Sequence, residues 1–66
     1  MSFSENLKQI RKEHHLSQEE LAELLDVSRQ AVSKWETGEA LPEVTKLKAL
    51  AETFGVSVDF LLDETK

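Results

Sequence analysis

Residues 18–36 read QEELAELLDVSRQAVSKWE, and the apolar and polar positions in this stretch decide the fold. Two short helical patterns are separated by Leu25-Asp26-Val27-Ser28. Ser17, just ahead, stands three residues before Glu20, the spacing of a capping box that opens the first helix. Leu21, Leu24 and Leu25 are expected on that helix's inner face. Ser28 is the expected N-cap of the second helix, where Val32 and Trp35 lie one turn apart and face inward. A tight crossing needs a small residue at the contact, and Ala22 is placed for it. The turn needs one residue at positive φ. Asp26 is the natural occupant, because Asp and Asn tolerate that region better than other non-glycine residues. Gly38 suits the end of the second helix.

Working outward, Ser2 and Glu5 repeat the capping-box spacing, and Phe3, Leu7, Ile10 and His14 form one face of a helix over about 3–14. On the other side, Pro42 marks the approach to a fourth helix. Val44, Leu47, Leu50, Ala51 and Phe54 form its apolar stripe, and Gly55 ends it. Ser57 caps a short fifth helix holding Val58, Phe60, Leu61 and Leu62. No alternating β-branched run bounded by turn residues is present. The expected fold is all-α: five amphipathic helices in one domain over residues 1–66, with the decisive pair at helices 2 and 3.

Size and composition bound the function. Sixty-six residues bury only about 60% of the surface the unfolded chain exposes. With no cysteine, neither a disulfide nor a thiolate metal site supports this small core. No apolar stretch approaches the roughly 18 residues of a membrane span, and no targeting segment is visible. A soluble, cytoplasmic protein is expected. His14 and His15 are adjacent, unlike the i and i+4 pairs that hold metals on helices, so no metal is expected. The carboxylates Glu19, Glu20 and Glu23 suit a solvated face at the positive end of helix 2. No nucleophile-plus-base pattern appears, so no enzyme activity, cofactor or small-molecule ligand is expected.

The formal net charge of −5 opposes nucleic-acid binding, which rests on neutralising phosphates. Its distribution is uneven, however. Residues 28–35 carry Arg29 and Lys34 and no acid. With Val32 and Trp35 turned inward, Arg29, Gln30, Ser33 and Lys34 are left outside. Arg matches the O6 and N7 edge of guanine, and Gln the N6 and N7 edge of adenine. Both lie in the first turn of the helix, the end that a major-groove helix presents to bases. The N-termini of helices 2 and 3 offer free N–H groups suited to phosphate. Trp35, by its spacing from Val32, belongs to the core rather than to a stacking platform.

The stretch LKQIRKEHHLSQEELAELLDVSRQAVSKWETGEALP resembles the Cro/CI-type (XRE-like) helix-turn-helix family of phage repressors and bacterial regulators. LKALAETFGVSVDFLL is similar to that family's fourth and fifth helices. Ser17-Gln18, Leu21-Ala22, Val27-Ser28, Val32, Trp35-Glu36 and Gly38 all fall at family positions. The resemblance implies a lambda-repressor-like domain with its helix-turn-helix over about 17–36 and a recognition helix over about 28–37. It implies base reading by Arg29, Gln30 and Lys34, assisted by Ser33, and phosphate contacts from Gln18, Ser28 and Thr37. An ion pair between Arg11 and Glu36 would tie helix 1 to helix 3. A dimer surface around Val58, Phe60 and Leu61 would place two copies on an inverted-repeat operator in double-stranded DNA, most simply as a repressor. The rival expectation is an antitoxin or protein-interaction adaptor built on the same helices.

Three departures from the family pattern carry consequences. His15 stands where the family usually has Gly and must take a left-handed conformation at some cost. Asp26 stands at the turn position usually held by Gly. Residues 39–43, EALPE, are acidic where many relatives are basic, which implies weaker phosphate binding and a shallower salt dependence.

Overall fold

A computed structural model of the chain describes residues 2–63. Among them are five helices and no strand: α1 (Phe3–Glu13), α2 (Gln18–Leu25), α3 (Arg29–Thr37), α4 (Val44–Phe54) and α5 (Val58–Leu62). Local chemistry sets the helix starts. In α1 the Ser2 N–H donates to Glu5 Oε1 (3.0 Å) and the Glu5 N–H to Ser2 Oγ (3.4 Å). In α2 the Ser17 N–H donates to Glu20 Oε1 (2.8 Å) and the Glu20 N–H to Ser17 Oγ (3.0 Å). Ser28 and Ser57 accept from the Ala31 and Phe60 amides at 3.1 and 3.0 Å. Each cap satisfies a first-turn N–H that has no partner inside the helix.

The first four helices end by one device. A residue at positive φ turns the chain at His15 (57°), Asp26 (57°), Gly38 (84°) and Gly55 (67°). The next amide then donates five residues back: Leu16 to the Arg11 carbonyl, Val27 to Ala22, Glu39 to Lys34 and Val56 to Ala51, at 3.0–3.2 Å. This is the Schellman closure. Glycine makes it without strain in two places, while His15 and Asp26 hold the same geometry with a Cβ present.

The core is continuous: Phe3, Leu7 and Ile10 from α1, Leu21, Ala22 and Leu25 from α2, Val32 and Trp35 from α3, Leu50, Ala51 and Phe54 from α4, and Leu61 from α5. α3 packs against α1 and α2, while α4 packs against α2 and α5. Lys46 on α4 donates from Nζ to the Leu25 carbonyl at 2.8 Å. A cation there favours the negative end of α2, whose last turn has no basic residue of its own.

Three positions expected on inner faces depart from expectation. Leu24 is 59% exposed. At about 100° per residue, the buried arc of α2 runs from Leu21 through Leu25 to Ala22, and Leu24 falls outside its edge. Val44, 66% exposed, has a suitable phase but is the first residue of α4, where burial has yet to deepen through half-buried Leu47 to fully buried Leu50. His14 lies one residue past the end of α1 and is exposed. Its ring meets Phe54 edge-on at 4.8 Å, and its Nδ1 lies 3.0 Å from the Ile10 carbonyl.

Candidate nucleic-acid interface

The two faces of α3 have different constraints. Val32 is fully buried, and Trp35 and Glu36 are nearly so, whereas Arg29, Gln30 and Lys34 are exposed. Ser33 is half-buried at the margin. Among the described residues, no hydrogen bond or ion pair engages the side chains of Arg29, Gln30 or Lys34. Their donors and acceptors are therefore turned to solvent.

Behind this face sits a polar clamp. Arg11 donates from Nε to Glu36 Oε2 (2.6 Å) and from Nη2 to Glu36 Oε1 (3.0 Å), while its Nη1 donates to the Leu16 carbonyl (2.7 Å). Gln18 adds a bond from Nε2 to Glu36 Oε1 at 3.0 Å. The side chains of Arg11 and Glu36 are 11% and 2% exposed, so this fork is nearly dry. Burial pushes the Glu36 carboxyl up, but the Arg11 and Gln18 hydrogen bonds, with the Arg11 charge, outweigh burial and hold it below its ordinary value. One carboxylate thus ties α1, the start of α2 and α3 together. The Gln18 amide nitrogen carries two hydrogens. One faces Glu36, and among the described residues this nitrogen has no second acceptor.

Amide donors are unevenly distributed around the site. The capping box takes the Ser17 and Glu20 amides at the start of α2, and Glu19 and Glu20 stand in its first turn, which opposes an anion. The first turn of α3 has no acidic residue, and only its Ala31 amide is taken by the Ser28 hydroxyl. The positive end of α3 is accordingly the better anion site of the two. Beyond α3, the Thr37 hydroxyl donates to the Lys34 carbonyl at 3.2 Å. The Gly38, Glu39 and Ala40 amides point to that same oxygen. The Thr37 donor is thus engaged inside the chain and reaches a phosphate only by leaving Lys34.

At α5, Val58 and Phe60 are partly exposed and Leu62 is 44% exposed, but Leu61 has no exposed surface. Leu61 belongs to the core and offers nothing to a second copy, and Leu62 is the outward neighbour. A five-residue helix leaves the phase of two consecutive leucines undetermined by sequence alone.

Two interactions escaped the reading of the sequence. Asn6 is buried at 6% exposure and donates from Nδ2 to the carbonyls of Leu61 (3.0 Å) and Asp63 (2.9 Å), with Phe60 at 3.5 Å. The signal was present, since Asn6 shares the helical face of Phe3, Leu7 and Ile10. The bond from Lys46 to Leu25 had no comparable signal, because an exposed-pattern lysine reveals no partner.

Two capped helices crossing at a tight turn, the second presenting a polar face over an anchored one, define a helix-turn-helix unit. A family model described as Helix-turn-helix matches residues 7–61, and the chain belongs to that family, in its Cro/CI (XRE) type. The HTH-type transcriptional activator BcrR of Enterococcus faecalis is 48% identical over 62 residues, covering 94% of this chain and 30% of BcrR. The P22 c2 repressor protein, solved in complex with synthetic operator 9T, matches with a TM-score of 0.91 at 32% identity, over 96% of each chain. Hydroxypropylphosphonic acid epoxidase from S. wedmorenis matches with a TM-score of 0.84 at 31% identity, over 97% of this chain and 34% of its own. The chain spans 30% to 58% of the length of the curated relatives it matches, all named transcriptional regulators. The chain is a helix-turn-helix domain, and the curated relatives that carry it are named for regulation of transcription. No helix among the described residues is long and apolar enough to cross a membrane.

Proposed function

We propose that this chain binds double-stranded DNA sequence-selectively in the cytoplasm, with α3 in the major groove, as the DNA-binding part of a transcriptional regulator. The observation that carries the reading is the unengaged outer face of α3 above the Arg11–Glu36–Gln18 clamp. Arg29 and Gln30 read base edges, with Lys34 and the margin residue Ser33 beside them. Gln18, through its second amide hydrogen, and Ser28, through its hydroxyl proton, hold phosphates. Thr37 joins them if its hydroxyl turns from Lys34.

Two copies meet through Val58, Phe60 and Leu62 on an inverted repeat. Half-sites one helical turn apart place domain centres about 34 Å apart. Domains of 29 × 24 × 23 Å touch only at their edges at that distance, so the contact is small and dimerisation accompanies DNA binding. Repression follows where the operator overlaps a promoter. One relative is named an activator and two structural neighbours repressors.

Selection of bound duplexes from a random pool tests the reading. The expected product is an inverted repeat. Arg29→Ala and Gln30→Ala should each cost about 1–3 kcal/mol of binding and relax preference at one position per half-site. Retention of all sequences alike, or of none, overturns it. A stable complex with a second protein in the absence of DNA retention would favour an adaptor instead.

A further inference from the structure

α5 is five residues long, far below the length at which a helix sustains itself in water. It is held at three points. Ser57 caps its start, Leu61 is buried in the core, and Asn6 of α1 receives its end. The last carbonyls of a helix have no partner within it. Here those of Leu61 and Asp63 accept from the single carboxamide nitrogen of Asn6 at 3.0 and 2.9 Å, and that of Phe60, which also accepts from the Asp63 amide at 3.3 Å, lies 3.5 Å from it. A carboxylate at the same place would remove the donor that faces the Leu61 and Asp63 oxygens.

The other end of α1 carries Arg11, which holds α3 through Glu36. Asn6 and Arg11 are five residues apart on one rigid helix, about 7.5 Å along its axis. α1 is therefore a strut with the reading helix fastened at one end and the small fifth helix at the other. We infer that Asn6 is a positioning residue for paired binding: by fastening the end of α5 to α1, it sets the distance and angle between the surface where two copies meet and the face that reads bases. This rests on the two-copy DNA reading given above. It assigns to a residue that touches neither DNA nor the second copy a part in the preference for a full operator over half of one.

The test uses Asn6→Asp, which keeps the shape and removes the donors, alongside Asn6→Ala, which removes them without adding a charge and serves if the first variant does not fold. Two readouts are needed. Amide hydrogen exchange at Leu61 and Asp63 should accelerate at least about tenfold while that at Val32 and Trp35 is unchanged, as expected for local opening. Affinity for the selected full operator should fall about tenfold, a shift of about 1.4 kcal/mol, and affinity for a duplex holding one half-site by less than about twofold. Equal losses on both duplexes, or a loosened α5 with the full-to-half ratio unchanged, would overturn the inference. If the unaltered protein shows no preference for the full operator, the two-copy reading fails and this inference with it. That case is recognisable because the exchange effect at α5 persists. If the unaltered protein retains no duplex, the DNA reading itself has failed.

Discussion

The inner and outer sides of α3 are separated by less than one turn of helix yet answer to different demands. Val32, Trp35 and Glu36 on the inside are determined by what they touch: two apolar side chains in the core and a carboxylate received by Arg11 and Gln18. Arg29, Gln30 and Lys34 on the outside touch nothing in the chain that would select them. Folding explains the first set completely and the second set not at all. A polar face left unused by folding on a helix anchored this firmly is where recognition has to be sought.

Substitutions on the two sides should therefore separate into two kinds. Trp35→Ala empties the largest part of α3's inner face and should cost about 3–5 kcal/mol. Against a total of about 3–10 kcal/mol for a chain of this size, that leaves much of the protein unfolded at 25 °C by circular dichroism. Arg11→Ala should cost a comparable amount, about 3–5 kcal/mol, because Glu36 keeps its charge and burial but loses its cation. Arg29→Ala on the outer face should leave thermal stability within about 0.5 kcal/mol while removing about 1–3 kcal/mol of binding. A melting temperature that drops as far for Arg29→Ala as for Arg11→Ala would erase the distinction between the faces.

Smaller effects sharpen it. His15→Gly and Asp26→Gly relieve left-handed strain away from both faces and should each stabilise by about 0.5–1 kcal/mol in urea unfolding. Gly55→Ala should do the reverse by about 1 kcal/mol. A Cβ at Gly55 meets nothing within 4 Å, so its backbone conformation alone is tested. The last effect is one of pH. The folded Glu36 carboxyl titrates below its ordinary value of 4.5. Its contribution is complete above that value and is lost as pH falls through the lower folded one. Glu36→Gln should flatten this acid limb of the stability profile.

Much of this architecture was legible because helix ends are local. Ser17 with Glu20, Ser28, Gly38 and Gly55 signal starts and stops through bonds within five residues, and Asp26 and His15 take the left-handed turns expected of them. What was not legible depends on distance. Leu24 and Leu25 are chemically identical, and only the direction from which α3 and α4 approach decides which is covered. Leu61 and Leu62 differ in the same way. The Thr37 hydroxyl could face outward or back to Lys34, and the choice is a rotamer that composition does not record. The spacing of Asn6 puts it on an apolar face, but nothing local points to its partners, which lie 54 to 57 residues away.

One of the helix starts differs from the rest. Among the described residues, α4 begins without a side-chain cap, because the Glu43 carboxylate accepts from the Thr45 hydroxyl at 2.8 Å instead of from a backbone amide. Its first turn also presents Val44 to water, beside an exposed loop that includes Leu41. Fraying should begin there. A protease at low dose should cut the chain between residues 39 and 45 first, releasing α1 to α3 as one fragment and α4 with α5 as another.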